Sequence, residues 1–283
     1  MTALVGALVA GFLTARLGWV ATRPLFSAPG LARTNYRGLA VPTAVGVLIP
    51  LAAMVVEAGR AAAGSLGVGD AAGMSRNRAL VLIAAAGFGI LGLLDDVVGD
   101  GGDRGFRGHL KALAGGRVTT GMVKLVVGTA VAVVVVAPVA RSSPARLLSD
   151  TVLVALAANL GNLFDRAPGR AVKISLVAFA ALALLTGAGA AVLGGVAVVI
   201  GAGVGLLSDD LRERLMLGDS GANVLGAALG VGAVLACSPA TRDLAVAGLA
   251  GLTVLAEVVS FGRVIEAVGP LRAFDRAGRR PPD

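Results

Sequence analysis

A single cysteine, Cys237, stands in 283 residues, so no disulfide can form within the chain. Aromatic residues are scarce at 4%, and His109 is the only histidine. Charge is the most telling shortage: Asp, Glu, Lys and Arg together make 15% of the chain, against roughly 25% in a soluble domain. With 56% hydrophobic residues and a mean hydropathy of +0.86, too few charges remain to solvate a surface. The apolar residues also come in runs of about 20, the length that crosses a hydrocarbon core. A soluble all-α protein could not bury so many long runs. Met1–Val20 lacks a basic leading region and continues into a basic loop, so it reads as a span rather than a cleavable signal.

What the chain does have is an apolar, glycine-rich pattern. Hydropathy places nine helices, at 3–23, 39–57, 79–98, 119–138, 148–164, 171–187, 188–207, 221–238 and 241–262. The expected fold class is all-α, a polytopic transmembrane helix bundle of about nine to ten spans. One transmembrane catalytic domain covers 1–263 and a basic tail covers 264–283. The 42 glycines suit close helix–helix approach, where small residues let backbones meet.

Nine spans put the termini on opposite sides, and the basic residues choose which. Arg23, Arg33, Arg37, Lys124, Arg166, Arg170, Lys173, Arg212, Arg214 and the tail arginines fall with Arg104, Arg107, Lys111 and Arg117 in one set of loops. Arg60, Arg76, Arg78, Arg141, Arg146 and Arg242 form the smaller set, and Arg16 alone lies inside a span. The larger set is expected to be cytoplasmic, with the N-terminus outside and the C-terminal tail inside. The net charge of +8 is thereby assigned to loops rather than to nucleic-acid binding.

Every chemically interesting cluster falls on that same side. Asp95 and Asp96 end a strongly apolar helix, where two adjacent carboxylates repel and lose hydration. They are either an acidic helix end at the interface or part of a Mg²⁺ site completed by substrate phosphates. Gly218-Asp219-Ser220-Gly221 opens a span, as a plain N-cap or as a phosphate-accepting helix terminus. Asn159, Asn162 and Asp165, spaced i, i+3, i+6, are expected to share about one helix face, lining a polar cavity or joining helices. Lys124 lies one turn into its span, snorkelling or reaching a diphosphate. Gly108-His109-Leu110-Lys111 reads as a basic, interfacial loop.

In this order the clusters resemble the polyprenyl-phosphate N-acetylhexosamine-1-phosphate transferase superfamily, which includes phospho-MurNAc-pentapeptide translocase and its GlcNAc-1-phosphate relatives. The segments that carry the resemblance are Asn35–Gly46, Gly92–Asp96, Thr119–Lys124, Asn159–Asp165 and Leu217–Gly221, within residues 33–226. The resemblance implies a ten-helix or near-ten-helix bundle in the plasma membrane with a cytoplasmic active site. It implies that Asp95, Asp96 and Asp219 bind Mg²⁺ or act on the lipid phosphate, with Asp96 and Asp219 as the metal ligands. Lys124 would contact the diphosphate, and Arg37, Asn159, Asn162, Asp165 and Arg170 would bind substrate. The implied reaction moves a sugar-1-phosphate from a UDP-sugar to a polyprenyl phosphate and releases UMP, with one carboxylate as base or transient nucleophile. The implied partners are the UDP-sugar, the polyprenyl phosphate, the lipid bilayer and optionally a second copy in a homodimer, with no nucleic acid.

Two departures from the pattern stand out. The tail Ser260–Arg280 has no histidine where the family carries a histidine-rich motif, and Asp165-Arg-Ala-Pro-Gly169 lacks the family's second acid. Arg166, Arg170 and the tail arginines are the expected replacements. A catalytically reduced paralogue that binds polyprenyl phosphate, and a transporter, are the competing expectations. A transporter would place ionisable groups near the bilayer midplane and show internal repeats, and no repeat is visible.

Overall fold

The computed structural model describes residues 2–35, 37–69, 73–99, 119–140, 143–187 and 190–280. The expected basic loop around His109 lies outside these residues. Among them are eleven α-helices: α1 (Thr2–Phe26), α2 (Leu48–Ser65), α3 (Arg76–Val98), α4 (Thr120–Val136), α5 (Pro144–Phe164), α6 (Arg170–Leu185), α7 (Ala190–Leu211), α8 (Asp219–Ala236), α9 (Pro239–Val258), α10 (Phe261–Ala267) and α11 (Gly269–Arg276). Six are long and apolar enough to cross a membrane, or seven if α9 and α10, bent by 92° at their junction, count as one span. Their outer faces show what such a medium must cover: Leu17, Ile90, Leu184 and Val258 are 66%, 67%, 81% and 82% exposed. Apolar surface on this scale suits lipid rather than water.

The centre is α8, which is buried almost without interruption from Ser220 to Ala228. It packs chiefly on α3 and α5, and also on α7 and α6. The most extensive pairing is α1 with α7. There Gly11 lies against the Val198 carbonyl and Gly201 against the Leu8 carbonyl, with no room for a Cβ on either. Backbones that close are a small-residue arrangement typical of helices in lipid.

The second expected span, 39–57, starts too early. Residues Ala32–Thr34 (β1) and Ala40–Pro42 (β2) instead form an antiparallel hairpin in the register Ala32↔Pro42, Arg33↔Val41, Thr34↔Ala40. The side-chain oxygen of Asn35 shapes its turn by accepting the amides of Arg37 and Leu39, each at 2.9 Å. The following backbone is also committed elsewhere: Met216 N donates to Pro42 O at 2.7 Å and Gly46 N to Leu217 O at 2.9 Å. A 3-10 turn over Val45–Val47, whose Gly46 amide is one of those donors, leads into α2 at Leu48. The small hairpin is the one β element among the described residues.

At the end of the bundle formed by the C-terminus of α2 and the N-termini of α3, α5 and α9, Arg60, Arg78, Arg146 and Arg242 of the smaller basic set are tied to acids. Glu57 pairs with Arg60 and, at 3.3 Å, with Arg78. Asp150, with a side chain 0% exposed, pairs with Arg242 at 2.5 Å and lies 3.8 Å from Arg146. The chemistry expected from the sequence lies at the opposite end.

Candidate functional site

Four helices bring the site together. Asp95 and Asp96 stand in the last turns of α3, Lys124 in the second turn of α4, Asn162 near the end of α5 and Asp219 at the start of α8. The Lys124 ammonium donates to Asp95 Oδ2 at 3.0 Å and also to Asp219 Oδ2. Asn162 Nδ2 donates to the same Asp219 oxygen at 2.9 Å. One cation thus neutralises two carboxylates that would otherwise repel each other.

Asp96 does something different. Its Oδ1 accepts the amide of Asp219 at 2.9 Å and its Oδ2 the amide of Ser220 at 3.0 Å, from 123 and 124 positions away. The N-cap residue of α8 is Gly218, at φ 71°, which makes no side-chain cap. Besides Asp219 itself, a carboxylate from another helix complements the first turn, and the amides of Asp219 and Ser220 are both satisfied by it. Neither Asp219 nor Ser220 is the cap itself.

The close approach of α3 and α8 rests on Gly92. A Cβ there would overlap the Asp219 carbonyl and the Ser220 nitrogen, backbone atoms that no rotamer change can move. Gly92→Ala is expected to push α8 off Asp96, lowering stability by about 1–3 kcal/mol and abolishing whatever the site does. Thermal unfolding together with an activity assay checks this, and an unaltered variant would rule out the tight contact.

Beside this cluster lies a cavity of about 310 Å³ lined by Thr34, Asn35, Asp96, Asp165, Arg166, Asp210, Glu213 and Asp219, among others. Five of these are acids and Arg166 is the one base among them. Lys124, Asn162 and Asp95 do not line it, and Asp219, with Asp96 bonded to its backbone, joins the cluster to the cavity. Besides Asp96 and Asp219, two more of the acids have partners: Gly169 N donates to Asp210 Oδ2 at 2.9 Å, and Glu213 takes Asn35 Nδ2 at 2.8 Å and Arg37 Nε at 3.0 Å. Glu213 holds an uncommon left-handed backbone at φ 57°, fixed by those contacts.

Asp165, just past the end of α5, is pushed well above the usual carboxylate range, first by desolvation and then by the charges of Asp210, Asp219 and Asp96. A raised folded-state value means that its contribution to stability is complete below the unfolded value near pH 4 and is lost as pH rises through the higher folded value. Asp165→Asn is therefore expected to melt higher than the wild type at neutral pH in EDTA, with the advantage vanishing below about pH 4. Melting curves across that range would show it, and identical curves at every pH would mean that Asp165 carries no such burden.

Several expected site residues are placed elsewhere. Asn159 is exposed and does not line the cavity. At about 100° per residue, positions i and i+6 lie about 120° apart, too wide an arc for one helix face. Arg170 is 8% exposed and is absorbed by Asp275, to which it donates from Nε at 2.7 Å and from its other arm, Nη2, at 2.9 Å. Arg37 spans Glu213 and the Arg280 carbonyl, the latter at 3.1 Å. The cavity acids Asp210 and Glu213 lie outside the expected site residues. Asp209-Asp210 ends an apolar helix just as Asp95-Asp96 does, and the same cost of an acid at such an end marks it. Arg16, expected alone inside its span, pairs with Asp209.

No protein-family model matches this chain, and no curated protein matches it. The case for a function rests on the geometry and on the motifs themselves.

The site fits Mg²⁺ by donor chemistry: hard carboxylate oxygens, in excess of local positive charge, face one cavity. Among the described residues no three His, Cys, Asp or Glu side chains are grouped to hold a metal. A cation held by two carboxylates would need its remaining ligands from water or from a bound phosphate, which is how Mg²⁺ is commonly held.

Proposed function

We propose that the chain is an integral membrane enzyme that transfers a sugar-1-phosphate from a UDP-sugar to a polyprenyl phosphate, releasing UMP, in cell-envelope glycan synthesis. The observation that carries this reading is the meeting of Asp95, Asp96, Lys124, Asn162 and Asp219. These residues come from the motifs that resemble the transferase superfamily, and they converge at one end of an apolar bundle beside a polar cavity. In this reading the bundle has nine or ten spans in the plasma membrane, the N-terminus outside, and the site cytoplasmic with the larger basic set.

The chemistry is phosphoryl transfer. An oxygen of the lipid phosphate attacks the sugar-bearing phosphorus, the bond from that phosphorus to the bridging oxygen breaks, and UMP leaves. Lys124, already poised between two carboxylates, turns its positive charge to the diphosphate. Asn162 orients Asp219 through its amide. Asp96 holds the first turn of α8, and with it the backbone of Asp219, in place. Asp96 and Asp219 are the residues that would hold Mg²⁺, whose charge would neutralise the diphosphate.

The test is purified protein with Mg²⁺, polyprenyl phosphate and a panel of UDP-sugars, scored for UMP. Release that depends on all three components supports the transferase, and no release with any donor overturns it. One observation favours a second reading, a paralogue that binds polyprenyl phosphate without turnover: Arg37 and Arg170, the arginines expected to hold the donor, are consumed in contacts within the protein. Saturable polyprenyl-phosphate binding with no UMP release would select that reading.

A further inference from the structure

Beyond α9, which packs on α5 and reaches the core through Ala245, Val246 and Leu249, the chain is an arm with almost no core of its own. Its helix α10 buries no residue, and its helix α11 buries one, Asp275. Among the described residues of the arm it is the only buried one, and it is a carboxylate. Arms usually dock through apolar side chains, because burying a charge is expensive unless it is paired and hydrogen-bonded. Here the pairing is complete. Arg170 grips Asp275 with a two-pronged fork, and the two side chains are 9% and 6% exposed.

Two more cations finish the joint. Arg279 Nη2 donates to Asp275 Oδ1 at 2.6 Å. Lys173 Nζ donates to the carbonyls of Phe274, Asp275 and Ala277 at 3.0, 2.6 and 3.2 Å, placing a positive charge at the C-terminal end of α11. Burial opposes ionisation of Asp275, yet the bond from Arg170 and the charges of Arg170, Arg279 and Lys173 keep its carboxyl below the usual range.

The segment just after this joint makes three contacts at or beside the cavity rim. Arg279 Nε donates to the Pro168 carbonyl at 2.9 Å, Arg280 N to the Leu211 carbonyl at 3.3 Å, and Arg37 Nη2 to the Arg280 carbonyl at 3.1 Å. Pro168 lines the cavity, and Arg37 holds Glu213, which lines it too. The arm end therefore joins the Asp165–Pro168 loop, the end of α7 and the hairpin.

We propose that Asp275 and Arg170 form a latch that docks the 261–280 arm, and that the latched arm positions the Asp165–Pro168 rim of the cavity. Asp275 is a positioning residue in this scheme and touches no reacting group. Little apolar burial depends on the latch, so opening it should free the arm and loosen the rim while the bundle stays folded. Where the cavity takes the UDP-sugar, which rests on the transferase reading, the loss should fall on donor binding.

The test uses the full chain with Cys237→Ser and a spin label at one of two introduced cysteines, Ala273→Cys on the arm or Ala167→Cys on the rim. Asp275→Asn is expected to sharpen the spectrum at both positions, with melting changed by only a few degrees. Asp275→Glu should restore part of the immobilisation, and Arg170→Lys, which keeps the charge but loses the fork, should loosen both labels less than Asp275→Asn does. In the UMP-release assay the donor KM should rise about tenfold, with kcat and the lipid KM within about twofold. An arm label that stays immobile in Asp275→Asn overturns the latch. A loosened arm with an unchanged rim label overturns the positioning role. A wild type that releases no UMP sinks the transferase reading alone, since the two labels decide the latch without turnover.

Discussion

Asp219→Asn is expected to fold and to lose on the order of a thousandfold or more in turnover, the scale of removing a preorganised charge from a phosphoryl-transfer site. Asp219 is where the cluster and the cavity meet: one of its oxygens receives both Lys124 and Asn162, and its residue lines the cavity. The amide substitution keeps the size and the bond to Asn162 in altered form, but removes the charge that balances Lys124 and that would hold Mg²⁺. The fold should survive, because Asp96 caps α8 through the backbone amides of residues 219 and 220, which the substitution leaves in place. Asp96→Asn differs in this respect: it removes the cap's charge and should lower the melting temperature along with turnover. Initial rates of UMP release and melting curves for both variants separate the two roles. Wild-type turnover in Asp219→Asn would remove that residue from the chemistry.

The second large effect lies at the far end of the bundle. Arg242→Leu is expected to cost about 3 kcal/mol of stability, the lower part of the range for breaking a buried ion pair from one side. Asp150 is enclosed, and Arg242 is its close partner at 2.5 Å, with Arg146 farther off at 3.8 Å and itself engaged with Asp243. Removing Arg242 leaves a buried carboxylate with one distant cation, which is why the loss stays at the lower part of the range. The double variant Asp150→Leu/Arg242→Leu removes both charges and should recover most of the stability, since apolar replacement of a whole buried pair is often near neutral. A denaturation series on the four proteins closes the cycle. Equal stability of the single variant and the wild type would mean that this pair does not hold α9 to α5.

Much of this molecule was legible in its composition and periodicity. Long apolar runs specify helices because lipid offers no other partner for backbone amides and carbonyls, and a helix was found on each of the nine expected segments. The acids, amide and lysine of the cluster were legible too, since a polar group at the end of an apolar helix is costly unless it is used. Hydropathy could not show where residues 42–46 bond. That segment looks apolar enough for a helix, yet its backbone is committed to Met216 and Leu217, far along the chain.

The roles inside the site depended on pairing in the same way. Asp95 and Asp96 are neighbours of identical type, yet one meets Lys124 and the other caps α8. Arg170 has the same chemistry whether it faces a diphosphate or Asp275, and only the position of α11 settles which partner it has. The sequence by itself determined an apolar helical chain and the residues that such a chain could not carry idly. The tertiary structure alone decided which carboxylate shares a cation, which one holds a helix end and which arginines are already spent. The reason is physical: hydropathy and helix period are properties of adjacent residues, whereas an ion pair is a distance between residues that the chain brings together only on folding.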